Sequence, residues 1–227
     1  MFQFILRSTT NEEMIMVKLD IFSDPICPWC YIGKSYLDRA LEKVGSHPFT
    51  IQWHPFQLNP EMPREGMDRK KYLETKFGSK DLVVKAYTPV LEHAGSAGLN
   101  LKLENITKTP NTLSAHRLIF WAWQEGVQHA VVSALFRAYF VDGRDIGKNS
   151  VLVDISHDTG ISRDLIIRLL EGKNDHQHII ELDNAARKMG INSAPTFILN
   201  GKHVITGAQN VEFWSNLITE IKINMGV

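Results

Sequence analysis

The sequence predicts an α/β protein: a mixed four-stranded sheet interrupted by a large helical insertion. Three observations carry that reading. Two stretches of alternating apolar and polar residues flank a helical repeat near the N-terminus, so a strand–helix–strand unit opens the chain. Helical periodicity then holds from Arg64 to about Gly190. Strand character returns only after that block, as two short runs joined by Asn200-Gly201 and followed by one more helical repeat.

Each element follows from its residues. Val17, Leu19 and Ile21 alternate with Lys18 and Asp20, the two-residue period of a strand, and Ser23-Asp24-Pro25 breaks it. Leu37, Ala40, Leu41 and Val44 repeat at helical spacing until Gly45 stops the helix. Phe49, Ile51 and Trp53 alternate again, and a right-handed crossover between the two strands makes them parallel. A proline-punctuated loop, HPFQLNPEMP, covers residues 54 to 63. Inside the helical block, Val132, Phe136, Tyr139 and Phe140 mark one apolar stripe, and Leu113, Phe120 and Trp123 mark another. Leu165, Ile166, Leu169 and Leu170 form a third, capped by Ser162. No strand-like alternation of useful length interrupts these helices. Thr196-Phe197-Ile198-Leu199 and His203-Val204-Ile205-Thr206 are strands, and Asn200-Gly201 signals a two-residue hairpin between them. Val211, Trp214, Ile218 and Ile221 share one face of a closing helix. Two parallel strands, then a hairpin, then a helix is the order of the thioredoxin fold. Residues 14–63 and 191–227 form the thioredoxin-like domain, residues 64–190 the inserted helical domain, and residues 1–13 a flexible extension.

Charge and composition exclude several classes of function. The 227 residues are 44% apolar and 22% charged, which suits a folded, soluble chain. Twenty-five basic residues balance twenty-five acidic ones, and no basic stripe marks a nucleic-acid or membrane partner. Arg69-Lys70-Lys71 reads as a solvated helix face, too short for a polyanion site. Phe2, Phe4, Ile5 and Leu6 fall short of a secretory signal, and no apolar stretch reaches the ~20 residues of a membrane span. The cytoplasm is the expected compartment, where a lone CxxC is more often catalytic or metal-binding than a structural staple.

Cys27 and Cys30 are the only cysteines, and Cys27-Pro28-Trp29-Cys30 lies where the first strand passes into the first helix. The nucleophile of thiol–disulfide exchange is the thiolate, and a helix N-terminus favours the anion through its unpaired N–H groups and dipole. Cys27 is therefore the expected attacking thiolate and Cys30, one turn further in and less exposed, the resolving thiol. Pro28 suits the first helical turn because it has no N–H to leave unpaired. Trp29 offers a substrate an apolar surface beside the sulfur. Pro195 stands at the start of the third strand, where a thioredoxin fold places a cis-proline against the CxxC. The plainer reading is that Pro195 merely starts the strand; beside a CxxC the active-site reading is preferred. The backbone of Ala194 would then be free to pair with an extended peptide.

The runs SDPICPWCYIGK (23 to 34), WHPFQLNP (53 to 60), PNTLSAHRLIFWA (110 to 122), LFRAYF (135 to 140) and SAPTFILNGKHVITGAQ (193 to 209) resemble the FrnE-like branch of the DsbA oxidoreductase family. The resemblance spans Val17 to Ile221. In layout the chain is also similar to kappa-class glutathione transferases and hydroxychromene-carboxylate isomerases, relatives with a serine where Cys27 stands. The resemblance implies a redox enzyme with a cleft between the thioredoxin core and the helical block. It also implies that Asn111, Thr112, His116 and Arg117 face that cleft. The same letters equally fit a helix start, with Asn111 or Thr112 as cap, Leu113 buried, and His116 and Arg117 solvated. Many DsbA relatives are exported oxidants, and the chain departs from them in showing no export signal, which leaves the direction of exchange open.

Other uses of these residues weigh less. Zinc needs four ligands, and beyond the two cysteines only His176-x-His178, in an unrelated segment, offers a histidine pair. No metal or nucleotide cofactor is expected; a redox-active disulfide is, with glutathione as a co-substrate. His54 reads as a polar residue at a strand end. Asp20 is an ordinary sheet-face residue and Asp24 a helix cap, although a carboxylate near a buried cysteine can relay its proton. Phe120, Trp121 and Trp123 are expected in the core. The leading function is a thiol–disulfide oxidoreductase acting on protein or small-molecule disulfides, recycled by glutathione or a thioredoxin-like reductant. The alternatives are a glutathione-dependent transferase or isomerase for a small aromatic substrate, and a redox-sensing binding module.

Overall fold

The computed structural model describes residues 16–225; the extension read at residues 1–13 lies outside them. Strand β1 (Val17–Ser23), helix α1 (Pro28–Val44) and strand β2 (Phe49–Pro55) open the chain. The two strands are parallel, from Val17 opposite Phe49 to Ser23 opposite Pro55. Gly45 ends α1 with a φ of +71°, a backbone region open to glycine without steric cost. Two short strands then follow that alternation in the sequence does not reveal, β3 (Met67–Asp68) and β4 (Lys108–Thr109), paired antiparallel. At two residues each they are too short to show a period.

Between and after them run the inserted helices: α2 (Arg69–Phe77), α3 (Lys80–Ser96), α4 (Leu113–Gln124), α5 (Gln128–Phe140), α6 (Asn149–Asp158), α7 (Arg163–Glu171) and α8 (His176–Lys188). The Ser162 side chain caps α7 by accepting from the Leu165 amide. Strands β5 (Thr196–Leu199) and β6 (His203–Thr206) and helix α9 (Val211–Met225) complete the chain. The sheet order is β2-β1-β5-β6, with β5 antiparallel to β1 and β6 antiparallel to β5. This is the thioredoxin fold. The turn differs slightly from its two-residue signal. Asn200 and Gly201 have φ of 47° and 67°, and Lys202 donates back to Leu199, but three residues separate the paired Leu199 and His203. The Asn200 side chain accepts from the Lys18 amide at 2.8 Å, tying the turn to β1.

The central strands β1 and β5 are covered on both faces, whereas the edge strand β6 is largely exposed. Leu19, Ile21 and Phe197 are buried with Ile32 and Leu37 of α1 and with Trp214 and Ile218 of α9. Phe22, Phe56 and Ile191 form a smaller cluster with Ala186 of α8. The larger cluster does not stop at the sheet. It continues through Leu118, Phe136, Leu152 and Ile166, so the inserted helices extend the same core. The outer edge of β2 is closed by one side chain. The Gln128 carboxamide accepts from the Trp53 amide (2.8 Å) and donates to the Trp53 carbonyl (3.0 Å), as a neighbouring strand would. Trp121 is buried as expected, whereas Trp123, two residues past it on α4, is exposed.

Candidate active site

The CPWC segment is the start of α1. Cys27 is the N-cap residue, with extended backbone (φ −88°, ψ 113°), and Pro28 opens the first turn. The Cys27 amide donates to the Asp24 carbonyl at 2.9 Å, and its own carbonyl accepts from Cys30 and Tyr31. No acidic side chain occupies the first turn, so the positive end of the helix faces the sulfur without a competing carboxylate. Both cysteines are free thiols. The Cys27 thiol donates to the Ala194 carbonyl at 3.5 Å, and the Ala194–Pro195 peptide is cis. The Ala194 carbonyl, expected to stand free for an added strand, is thus engaged by the sulfur.

Gly33 makes this approach fit. A Cβ there would stand 3.2 Å from Pro195 Cγ and 3.4 Å from the Ala208 Cα, so α1 passes close enough to the proline loop that any side chain would press on it. Sequence reasoning missed Gly33; the signal was a glycine inside a helix, which has a packing reason when it is retained.

Burial departs from expectation. The attacking thiol is expected near the surface, yet Cys27 is 3% exposed and Cys30 1%. The residues flanking the thiols also pack on the inserted helices. The Trp29 ring lies edge-on to His93 of α3 at 5.3 Å, and Tyr31 stacks on Phe136 of α5 at 5.0 Å. Trp29 is half-buried, with one contact to α3. Burial pushes the Cys30 thiol well above its ordinary range, and the Cys27 sulfur pushes it the same way; the Ser23 hydroxyl and the Asp24 backbone N–H oppose them by bonding to the anion. Ser23 is another site residue that the sequence did not single out.

Asp24 is fully buried and does not cap α1. Its carboxylate accepts from the Ile26 amide (3.2 Å), the Leu58 amide (2.7 Å) and the Thr112 hydroxyl (3.5 Å), joining the CPWC turn to the loop after β2 and the start of α4. Burial pushes its pKa up to about 6, against the pull of those donors. His116, 2% exposed, places Nε2 at 3.9 Å from Asp24 Oδ1, beyond hydrogen-bond range, and that nitrogen has no partner among the described residues. Burial lowers His116 to about 3, so the ring is neutral.

The remaining predicted residues divide by position. Asn111 accepts from the Leu113 amide (2.9 Å) and donates to the Met62 carbonyl (2.6 Å), so its side chain serves the helix start and the loop. Arg117 is buried, not solvated. It donates to the carbonyls of Leu169, Gly172 and Asn174 and lies over the Trp121 ring at 4.8 Å, which holds the turn between α7 and α8. His54 bonds Asp20 and stacks on Phe22 within the sheet. Burial would raise the Asp20 carboxyl, but the bonds from His54 and Lys18 outweigh it and hold the group below its usual range. Among the described residues no group of three or more His, Cys, Asp or Glu could hold a metal, and no helix is long and apolar enough to cross a membrane.

A dithiol at a helix N-terminus, facing a cis-proline loop at one end of a mixed four-stranded sheet, defines a thioredoxin-type protein with inserted helices. The chain belongs to the DSBA-like thioredoxin domain family, whose model matches residues 18–219. It is 24% identical over 206 residues to the uncharacterized protein YwbO of Bacillus subtilis (strain 168), covering 90% of this chain and 96% of that one. Its fold is similar to that of the probable DsbA oxidoreductase SCO1869 from Streptomyces coelicolor, with a TM-score of 0.79 and 23% identity over 90% of this chain and 89% of that one. It is similar also to the cytosolic disulfide reductase DsbM from Pseudomonas aeruginosa with GSH, with a TM-score of 0.64 and 19% identity over 90% and 99%.

Proposed function

We propose that this chain is a thiol–disulfide oxidoreductase in which Cys27 attacks and Cys30 resolves. The observation that carries the reading is the Cys27 thiol at the N-cap of α1, 3.5 Å from the carbonyl that precedes Pro195. In the reducing direction the Cys27 thiolate attacks one sulfur of the substrate disulfide, forming a mixed disulfide and releasing one substrate thiolate. Cys30 then gives up its proton and attacks Cys27 Sγ. The second substrate thiol leaves, the enzyme is left as the Cys27–Cys30 disulfide, and two electrons have passed to the substrate.

The electrostatics order these steps. While Cys27 is free, its sulfur and burial together keep Cys30 protonated. Once Cys27 is in a mixed disulfide its sulfur can carry no charge, and the Ser23 hydroxyl and Asp24 N–H remain to support the Cys30 thiolate. Ala194 and Pro195 orient the incoming sulfur. Pro28 and Trp29 shape the approach to it, and Asn111 and His116 bear on it indirectly, through the loop at Met62 and through Asp24. The substrates are protein or small-molecule disulfides, no metal takes part, and two glutathione molecules or a thioredoxin-like protein restore the dithiol. The likeness to DsbM, a cytosolic disulfide reductase whose structure was determined with GSH, favours glutathione and the cytoplasm for this chain as well.

The test is insulin reduction by dithiothreitol. Wild type is expected to hasten turbidity and Cys27→Ser to lose the effect; equal rates would discard the redox reading. Cys30→Ala separates exchange from a glutathione transferase or isomerase. Exchange stalls at the mixed disulfide without Cys30, whereas transfer to a small aromatic acceptor continues.

A further inference from the structure

The sequence places Arg69 on a solvated helix face, but the fold buries it to 8% exposure, while Lys70 and Lys71 beside it stay in water. Its guanidinium donates to the hydroxyls of Tyr87 (2.6 Å), Thr109 (3.2 Å) and Tyr139 (3.5 Å). Its charge also faces the rings of Tyr72 and Tyr87, at 5.7 and 5.8 Å. Among the described residues no carboxylate pairs with it. A buried cation is ordinarily matched by an anion, because desolvating a lone charge is costly. An arginine has five N–H donors. Three are taken by the hydroxyls, which leaves Nε–H and one Nη2–H without a partner among the described residues.

Two cavities open on this residue and share Arg69, Leu73 and Val83. The first, about 500 Å³, lies between α2 and α3 and carries Lys70 and Lys80 at its rim. Asp68 and Glu74 line it too, the first capping α2 through the Lys71 amide and the second facing Lys70 at 4.0 Å; against these two acids stand Arg69, Lys70 and Lys80, so the lining keeps a positive excess. The second, about 240 Å³, is walled by apolar side chains including Val84, Leu91 and Leu103. Two of its wall residues on one face of α3, Val84 and Leu91, are also exposed, so the apolar wall runs from the buried cation out to solvent.

We propose that the cleft between α2 and α3 binds an amphiphilic carboxylate, with its acid group against Arg69 and its hydrocarbon body along α3. The class follows from complementarity. The charge calls for an anion, and the two unused N–H groups can each meet one carboxylate oxygen. The apolar wall of the second cavity asks for a chain without polar atoms. The first cavity has the volume of a small-molecule site and gathers charged side chains around the acid end. This site is separate from the dithiol and does not depend on the redox reading.

Calorimetric titration of the full chain with sodium laurate tests it, with dodecanol as the uncharged control. Laurate is expected to bind one to one and raise Tm, dodecanol about tenfold more weakly or worse, since a charged hydrogen bond is lost. Arg69→Met should weaken laurate binding by about tenfold or more, and Arg69→Lys should retain part of it. Should Arg69→Met fail to fold, Leu91→Asp sets a like charge at the exposed mouth without touching the buried cluster, and it should weaken laurate binding with Tm unchanged. No heat with laurate, dodecanol binding as tightly as laurate, or Leu91→Asp binding laurate like wild type would each overturn the proposal.

Discussion

Two buried residues behind the cysteines respond to pH in opposite ways. Asp24 titrates at about 6 in the fold against 3.8 in the unfolded chain, so the folded state keeps a proton that the unfolded state has released. Its contribution to stability is present at low pH and is lost as pH rises through that window, by roughly 3 kcal/mol. His116 titrates at about 3 against 6.5, so the unfolded state takes the proton first, and its contribution is lost as pH falls below 6.5. Where the windows overlap the two slopes oppose each other. Asp24→Asn removes the first and should make stability climb more steeply with pH between about 4 and 6; His116→Leu removes the second and should make it fall there. Urea unfolding across that range checks both, and three parallel curves would contradict the assignment. This arrangement was only partly legible beforehand. The position of Asp24, close before the cysteines, marked it as a carboxylate near a buried thiol, but nothing local tells a helix cap from a strut between loops. His116 and Arg117 follow a helix start and read as solvated, because their burial is made by α7, α8 and the CPWC turn, all distant in sequence.

At the scale of elements, periodicity was a reliable guide wherever one face is buried. Both parallel strands, the closing helix and the turn at Asn200-Gly201 stand where alternation and glycine place them. It failed for β3 and β4, two residues each, and for the stripe of Leu113, Phe120 and Trp123, which lies beside the buried face of Ala115, Leu118 and Ala122 on α4. The protection of β2 was equally invisible, since Gln128 takes the part of a strand from the first turn of a helix. Gln128→Leu keeps the volume but leaves the Trp53 amide and carbonyl without partners. It is expected to destabilise the chain by about 2 kcal/mol, in the range for unsatisfied buried polar groups. Thermal unfolding measures this, and an unchanged Tm would show that the edge is held by other means.

At the scale of the molecule, the order of elements was readable but their fusion was not. Helical periodicity announces an insertion; it does not say that Phe136 and Leu152 share a core with Leu19. Phe136 joins the two parts, stacked on Tyr31 one residue after Cys30. Phe136→Ala should therefore cost about 3–5 kcal/mol and also loosen the cover over the cysteines. Its signature is a lower Tm together with faster alkylation of Cys27 by iodoacetamide at temperatures where the protein stays folded. A lower Tm with unchanged alkylation would confine the effect to packing. The same roof has a chemical consequence for the resting enzyme. A cysteine with 3% of its surface open meets dissolved peroxide seldom, and progression from sulfenic to sulfinic acid needs repeated encounters. A sulfenic acid that did form on Cys27 would have Cys30 one helical turn away to condense with it, ending in the reversible disulfide before a second oxidant arrived.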